Sequence, residues 1–288
     1  MSDPVSTGNT DHALRMADGR RLAYAEYGAP AGMPALFFHG APGSRLSIFG
    51  DMNAAAAQRG VRLIVPERPG YGLSDPLSGR TVRDWTDDVL TLTDALGVER
   101  FKIIGFSMGS LYALACAHAL PQRVKRVAVA GSLAPLSVQG VSTGRSDALR
   151  SLYALAQTDP HGLRRELAPL ADSATLFAVM AASAPAVDQA LLAAHRSWFE
   201  ADFAESIRGG IEGMACDVAL AAGEWTFPLE QIQASVDLWL GTEDCITPPA
   251  MARHLASVLP HNQLFELPGE GHYCLYSRWH QILDRLAA

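Results

Sequence analysis

Short, almost uninterrupted apolar runs alternate with helix-patterned segments along this chain, and that alternation limits its fold more than any other feature. Residues 35–38, 61–65, 101–104 and 124–130 each have the length and apolar content of a strand covered on both faces. Residues 21–27 alternate in the way a half-buried strand does. Helices are expected between them over residues 44–59, 81–96 and 108–120. Thr81 and Asp84 stand in the relation of an N-cap and its reciprocating carboxylate, and Gly97 closes the far end of that helix. Strands joined through helices by short loops imply a largely parallel sheet with helices on both faces.

The rhythm changes near residue 133. Residues 133–228 are Ala-rich and helical in pattern, with no convincing strand. Alternation resumes with strands at 236–240 and 263–267 and helices at 248–258 and 273–286. The expected architecture is an α/β core of residues 13–132 and 229–288. A helical cap, or lid, of residues 133–228 is inserted after the sixth strand of an eight-stranded, mostly parallel sheet. The polar residues 1–12 are expected to form a disordered leader.

Composition narrows the function. The chain is 49% hydrophobic and 18% charged, the balance of a compact globule. A net charge of −7 and the lack of a basic run argue against a nucleic-acid partner. No stretch approaches the ~18 apolar residues of a membrane span, and the N-terminus has no apolar signal core. Cys116, Cys216, Cys245 and Cys274 lack metal-site spacing, so no metal is expected and they are read as reduced thiols of a cytoplasmic protein. Self-association as a homodimer is left open.

Gly105-Phe106-Ser107-Met108-Gly109 fits G-x-S-x-G between a strand and a helix, the context that gives the motif meaning. Small residues at 105 and 109 let a sharp turn close and present the Ser107 hydroxyl at a helix N-terminus. A hydroxyl needs a base to become a nucleophile, and His272, on a loop after the last strand, is the candidate among nine histidines. The base needs a carboxylate behind it. Asp244, on the turn after the strand at 236–240, is preferred to its neighbour Glu243, because adjacent side chains do not share a direction. An oxyanion needs two backbone donors. Met108 supplies one and Ala41, in His39-Gly40-Ala41-Pro42-Gly43, the other, since Pro42 has no N–H. His39 is expected to anchor that loop. Phe177, Met180, Trp198, Phe199, Phe203 and Met214 are candidates to shape an acyl pocket under the cap.

Five features together resemble the α/β-hydrolases: His39-Gly40 with Pro42-Gly43, the run from Arg68 to Ser74, the Ser107 turn, the turn ending at Asp244, and Gly271-His272. The order serine, acid, histidine is also that of this family. The resemblance implies a cofactor-free hydrolase with a lid, acting on esters, amides, lactones or related acyl bonds. A carboxylic ester hydrolase working through an acyl-enzyme is the leading expectation. The alternatives are a C–C bond hydrolase or cyclase on the same triad, a prolyl aminopeptidase, and a non-catalytic binding protein. The aminopeptidase would need cap carboxylates for a substrate ammonium, for which Asp202, Glu205, Glu212 and Asp217 are candidates.

Overall fold

A computed structural model describes residues 9–288. Eight strands form one sheet in the order β1-β2-β4-β3-β5-β6-β7-β8. They are β1 (Asn9–Arg15), β2 (Arg21–Gly28), β3 (Met33–Phe38), β4 (Val61–Pro66), β5 (Phe101–Phe106), β6 (Val124–Ala130), β7 (Ser235–Gly241) and β8 (Asn262–Leu267). β2 pairs antiparallel with β1 and β4, and the other neighbours are parallel. The strands at 35–38, 61–65, 101–104 and 124–130 lie in the middle of the sheet, where apolar residues on both faces are buried. Successive residues of β3 divide between the faces, Leu36 and Phe38 packing on one and Phe37 on the other.

The first strand corrects the expected leader. Residues 1–8 lie outside the described residues, but Asn9–Arg15 is β1, with His12 opposite Tyr24 and Leu14 opposite Leu22. The open edge of β2 supplies a hydrogen-bonding ladder that needs little apolar content from its partner. The His12 ring also stacks on Tyr24 with centroids 4.9 Å apart.

The helices before β6 are α1 (Met52–Gln58), α2 (Val82–Ala95) and α3 (Gly109–Ala119). α1 is half the length expected. Residues 44–51 are held out of it by tertiary bonds, the Ser44 N–H donating to Asp202 at 3.0 Å and the Arg45 N–H to Glu67 at 3.2 Å. α2 opens with the Thr81–Asp84 capping box, worth about 1 kcal/mol. α3 is buried from Gly109 to Ala117, so it runs through the core rather than across its surface.

Between β6 and β7 the chain forms only helices: α4 (Asp147–Thr158), α5 (Pro160–Leu167), α6 (Ser173–Ser183), α7 (Ala186–Ala194), α8 (Arg196–Ser206) and α9 (Glu212–Ala222), with a short 3-10 turn before α6 and another before β7. Ser146, Asp159 and Asp172 cap α4, α5 and α6, each side chain accepting a first-turn N–H. α10 (Pro249–Val258) follows β7. The helix expected at 273–286 divides into α11 (Cys274–Ser277) and α12 (Trp279–Ala287) at Arg278, whose side chain is drawn to Glu270 at 2.6 Å. Trp279, Ile282, Leu283 and Leu286 of α12 are buried on one stripe, and each such side chain contributes roughly 1.5–3 kcal/mol.

Candidate active site

The carboxyl ends of β3, β5, β7 and β8 lead into the loops that carry Gly40, Ser107, Asp244 and His272. A parallel sheet delivers all four loops to one edge, so residues far apart in sequence converge.

Ser107 is the only non-glycine with a positive φ among the described residues, at 51°. An L-residue in that region carries about 1–2 kcal/mol of strain, held here by the Ser107 N–H donating to the Ala130 carbonyl at 2.9 Å. The glycines of the motif have a measurable reason. A Cβ on Gly109 would lie 2.1 Å from the Phe38 carbonyl oxygen, and one on Gly105 would lie 2.8 Å from the Gly109 oxygen. Only bare backbone lets the turn close against β3.

His272 Nε2 lies 2.9 Å from Ser107 Oγ, and its Nδ1 lies 2.9 Å from Asp244 Oδ2. An ionised carboxylate accepts, so Nδ1 carries the proton and Nε2 is left to accept from the serine hydroxyl. Asp244 accepts further bonds from the N–H groups of Ile246 and Thr247, each at 2.8 Å, and from the Thr247 hydroxyl at 2.7 Å. Its neighbour Glu243 is exposed and turned away, while Asp244 and His272 are buried. Burial disfavours the imidazolium, but the charge of Asp244 and its hydrogen bond outweigh it and hold the His272 pKa above the ordinary 6.5. Thr247 is the residue here that no motif announced. Its spacing of three from Asp244 is a local turn pattern, visible only once Asp244 is known.

The two candidate oxyanion donors flank the same space. Met108 begins the turn into α3, and Ala41 precedes a cis peptide to Pro42. Among the described residues neither N–H is taken by another group. The loop behind Ala41 is fixed from below. Arg68 donates to the carbonyls of His39 at 2.7 Å and Gly40 at 2.8 Å, and its own N–H reaches His39 Nε2 at 3.3 Å. His39 is fully buried, and burial together with the Arg68 charge keeps it neutral, its pKa well below 6.5. It holds the loop.

Ser107, Met108, Ala41 and Pro42 border a cavity of about 120 Å³. Its other walls are mostly apolar side chains of the inserted helices, among them Leu149 and Leu152 of α4, Leu176 and Met180 of α6, and Met214 and Val218 of α9. Of the six residues expected at a pocket, Met180 and Met214 line it. Phe177, Trp198, Phe199 and Phe203 do not. Phe199 packs edge-on against Tyr273 at 5.4 Å, Trp198 stacks on Phe49 at 4.0 Å, and Phe177 lies beside Phe203 at 6.4 Å. These rings dock α6 and α8 on the core. The four acidic residues considered for a substrate ammonium all have partners: Asp202 with Ser44 and Ser47, Glu205 with Arg45, Glu212 with Arg164, and Asp217 with Arg68 and Arg80. The cysteines are free thiols, and among the described residues no group of three or more His, Cys, Asp or Glu could hold a metal ion.

An eight-stranded, mostly parallel sheet with a strained serine, a histidine and an aspartate at its carboxyl edge defines a class of α/β protein rather than one member of it. The family model of the alpha/beta hydrolase fold matches residues 34–278, and the chain belongs to that family. A non-heme chloroperoxidase from Streptomyces lividans is 27% identical over 285 residues, covering 88% of this chain and 93% of that protein. A proline iminopeptidase from Xylella fastidiosa (strain 9a5c) is 32% identical over 125 residues, spanning 41% of this chain and 38% of the relative's length. Among solved structures, an enol-lactonase from Burkholderia xenovorans LB400 superposes with a TM-score of 0.70 at 22% identity, covering 96% of this chain and 98% of that one. An esterase from Exiguobacterium antarcticum superposes with a TM-score of 0.71 at 18% identity, covering 96% and 97%. No helix among the described residues is long and apolar enough to cross a membrane.

Proposed function

We propose that this protein is a serine hydrolase acting on small, apolar carboxylic esters or lactones through an acyl-enzyme. The observation that carries the reading is the unbroken chain from Ser107 Oγ through His272 to Asp244, with both links at 2.9 Å. Ser107 attacks the substrate carbonyl as its proton passes to His272 Nε2. Negative charge gathers on the former carbonyl oxygen, where the N–H groups of Met108 and Ala41 receive it. His272 returns the proton to the departing alkoxide, leaving Ser107 acylated. A water then gives its proton to His272 and attacks the acyl carbon, and His272 passes that proton to Ser107 Oγ as the acid leaves.

The cavity supports the substrate class. At about 120 Å³ it is well below the ~300–1,000 Å³ of pockets that take drug-sized ligands. Its walls favour an uncharged acyl group of a few carbons. The helices from α4 to α9 supply most of those walls, so residues 133–228 act as the lid that selects the substrate. The partnered state of Asp202, Glu205, Glu212 and Asp217 weighs against an aminopeptidase, which would need a carboxylate free for the substrate's ammonium.

A panel of p-nitrophenyl esters, assayed with the wild type and Ser107→Ala, tests the reading. Acetate and butyrate should turn over faster than octanoate, with the variant inactive. A folded wild-type protein that a fluorophosphonate does not label would remove Ser107 as the nucleophile. Faster turnover of a vinylogous diketone or a proline naphthylamide than of any ester would redirect the substrate assignment.

A further inference from the structure

Two buried charges from the segment between β6 and β7 lie against the loops that carry Asp244 and His272, and the mechanism above gives neither a task. Asp188, in the first turn of α7, is 3% exposed. Its Oδ2 accepts the backbone N–H of His272 at 2.6 Å, and its Oδ1 accepts that of Tyr273 at 3.3 Å. The approach is so close that a Cβ on Gly271 would lie 2.2 Å from Asp188 Oδ2. Glycine before the catalytic histidine is what admits this carboxylate.

Arg145, just before α4, is also 3% exposed. Its Nε donates to the Ile246 carbonyl at 3.0 Å, in the turn whose Ile246 N–H is bound to Asp244. The other buried arginines each pair with a carboxylate, Arg45 with Glu67, Arg68 with Asp217, and Arg80 with Asp217. Arg145 pairs with none among the described residues, and its guanidinium lies over the Tyr153 ring, 4.5 Å from the centroid. A buried cation without a counter-ion is costly, so its retention calls for a use.

We propose that Asp188 and Arg145 are an opposed pair of positioning residues, each holding one of the two catalytic loops while their opposite charges act on His272 in opposite senses. The inference rests on the reading of Ser107, His272 and Asp244 as a triad, and it makes the inserted helices part of the base as well as its cover. Facing His272 are Asp244 and Thr247 from the acid turn, Ser107 from the elbow, the Tyr273 ring and, at the His272 backbone N–H, Asp188 from α7, while Arg145 reaches the acid turn through the Ile246 carbonyl. Of these, Asp188 reinforces Asp244 in favouring the imidazolium, and Arg145 opposes both.

The test is the pH dependence of fluorophosphonate inactivation, read beside an NMR titration of the His272 imidazole. Catalysis uses neutral His272, so the rate is lost as pH falls through its pKa. Asp188→Asn keeps one carbonyl acceptor but removes the charge, and its acid limb should move down by about 0.5–1 pH unit. Arg145→Gln should move it up by about as much, and the double variant should return near the wild type. Rates that fall equally at all pH values, with the limb and the titration unmoved, would overturn the proposal, as would a shift of either variant in the other direction. If Asp188→Asn does not fold, Arg145→Gln against the charge-keeping Arg145→Lys decides alone. The NMR titration needs no turnover, so it separates failure of this pair from failure of Ser107 as nucleophile.

Discussion

Arg68 and Asp217 meet at 2.8 Å with neither side chain reaching solvent, joining the loop under Ala41 to α9. The carboxylate is fully subscribed. Tyr71 donates to Oδ2 at 2.8 Å, Tyr112 donates to Oδ1 at 2.6 Å, and Arg80 pairs with Oδ1. Burial opposes its charge, but the two guanidiniums outweigh that and hold the Asp217 carboxyl well below the usual carboxylate range. Removing the charge leaves Arg68 and Arg80 buried without a counter-ion. Asp217→Asn is therefore expected to cost about 3–5 kcal/mol, measured by urea denaturation at pH 7. It should also lower kcat in the fraction that folds, because Arg68 carries the carbonyls of His39 and Gly40.

The elbow strain can be separated from the chemistry of the hydroxyl. Ser107→Ala and Ser107→Gly both remove the proposed nucleophile, and turnover should fall roughly 10⁴- to 10⁶-fold in each. Their stabilities should differ. Alanine keeps a Cβ at a φ of 51°, whereas glycine adopts that conformation freely. Ser107→Gly should be the more stable of the two by about 1 kcal/mol, the reverse of the order expected at an ordinary backbone position. Thermal melts of the two variants side by side check this, and equal melting temperatures would deny the strain.

The pH profile should show the influence of Asp244. Because that carboxylate lifts the His272 pKa above 6.5, the acid limb of kcat/KM is expected above that value. Asp244→Asn removes the charge and disturbs the tautomer. The limb should move down while kcat drops about 10⁴-fold. A limb that stays in place would show that another group titrates.

Sequence reasoning reached those parts of the site that are local. Ser107 announced itself through the glycines on either side, and the strand before it and the helix after it are short-range patterns. Asp244 and His272 were legible because each follows a strand, Asp244 the buried β7 and His272 the edge strand β8, and parallel strands bring their carboxyl ends together. Contacts between distant residues were not legible. Nothing near Asp188 marks it as the acceptor for an N–H 84 residues away, and Arg145 differs from a surface arginine only in what surrounds it. The large aromatic residues of the inserted helices misled for the same reason. Phe199 and Trp198 are large and apolar, as a pocket wall would be, yet Tyr273 and Phe49 lie opposite them, and which surface such a ring meets is decided by the partner. β1 escaped notice because its ladder is supplied by β2.

Asp202 gives the fold a pH dependence of its own. Its carboxyl, on α8, is buried among the Ser44 N–H and the hydroxyls of Ser44 and Ser47, at 3.0, 2.6 and 3.0 Å, with no cation bound to it among the described residues. Burial is the largest influence and raises its pKa from 3.8 to about 7, although the three donors work the other way. The sign follows from proton counts. Between pH 4 and 7 the folded chain keeps a proton on Asp202 that the unfolded chain has released, so stability declines as pH rises through that interval. The loss is complete above pH 7 and amounts to roughly 2–4 kcal/mol. Asp202→Asn keeps a carbonyl for the Ser44 donors and offers an amide to Ser47, without a charge to bury. The difference in unfolding free energy between variant and wild type should therefore grow in favour of the variant from pH 5 to pH 8. Urea denaturation of both proteins at the two pH values measures it, and a difference that does not change with pH would show that Asp202 is ionised throughout.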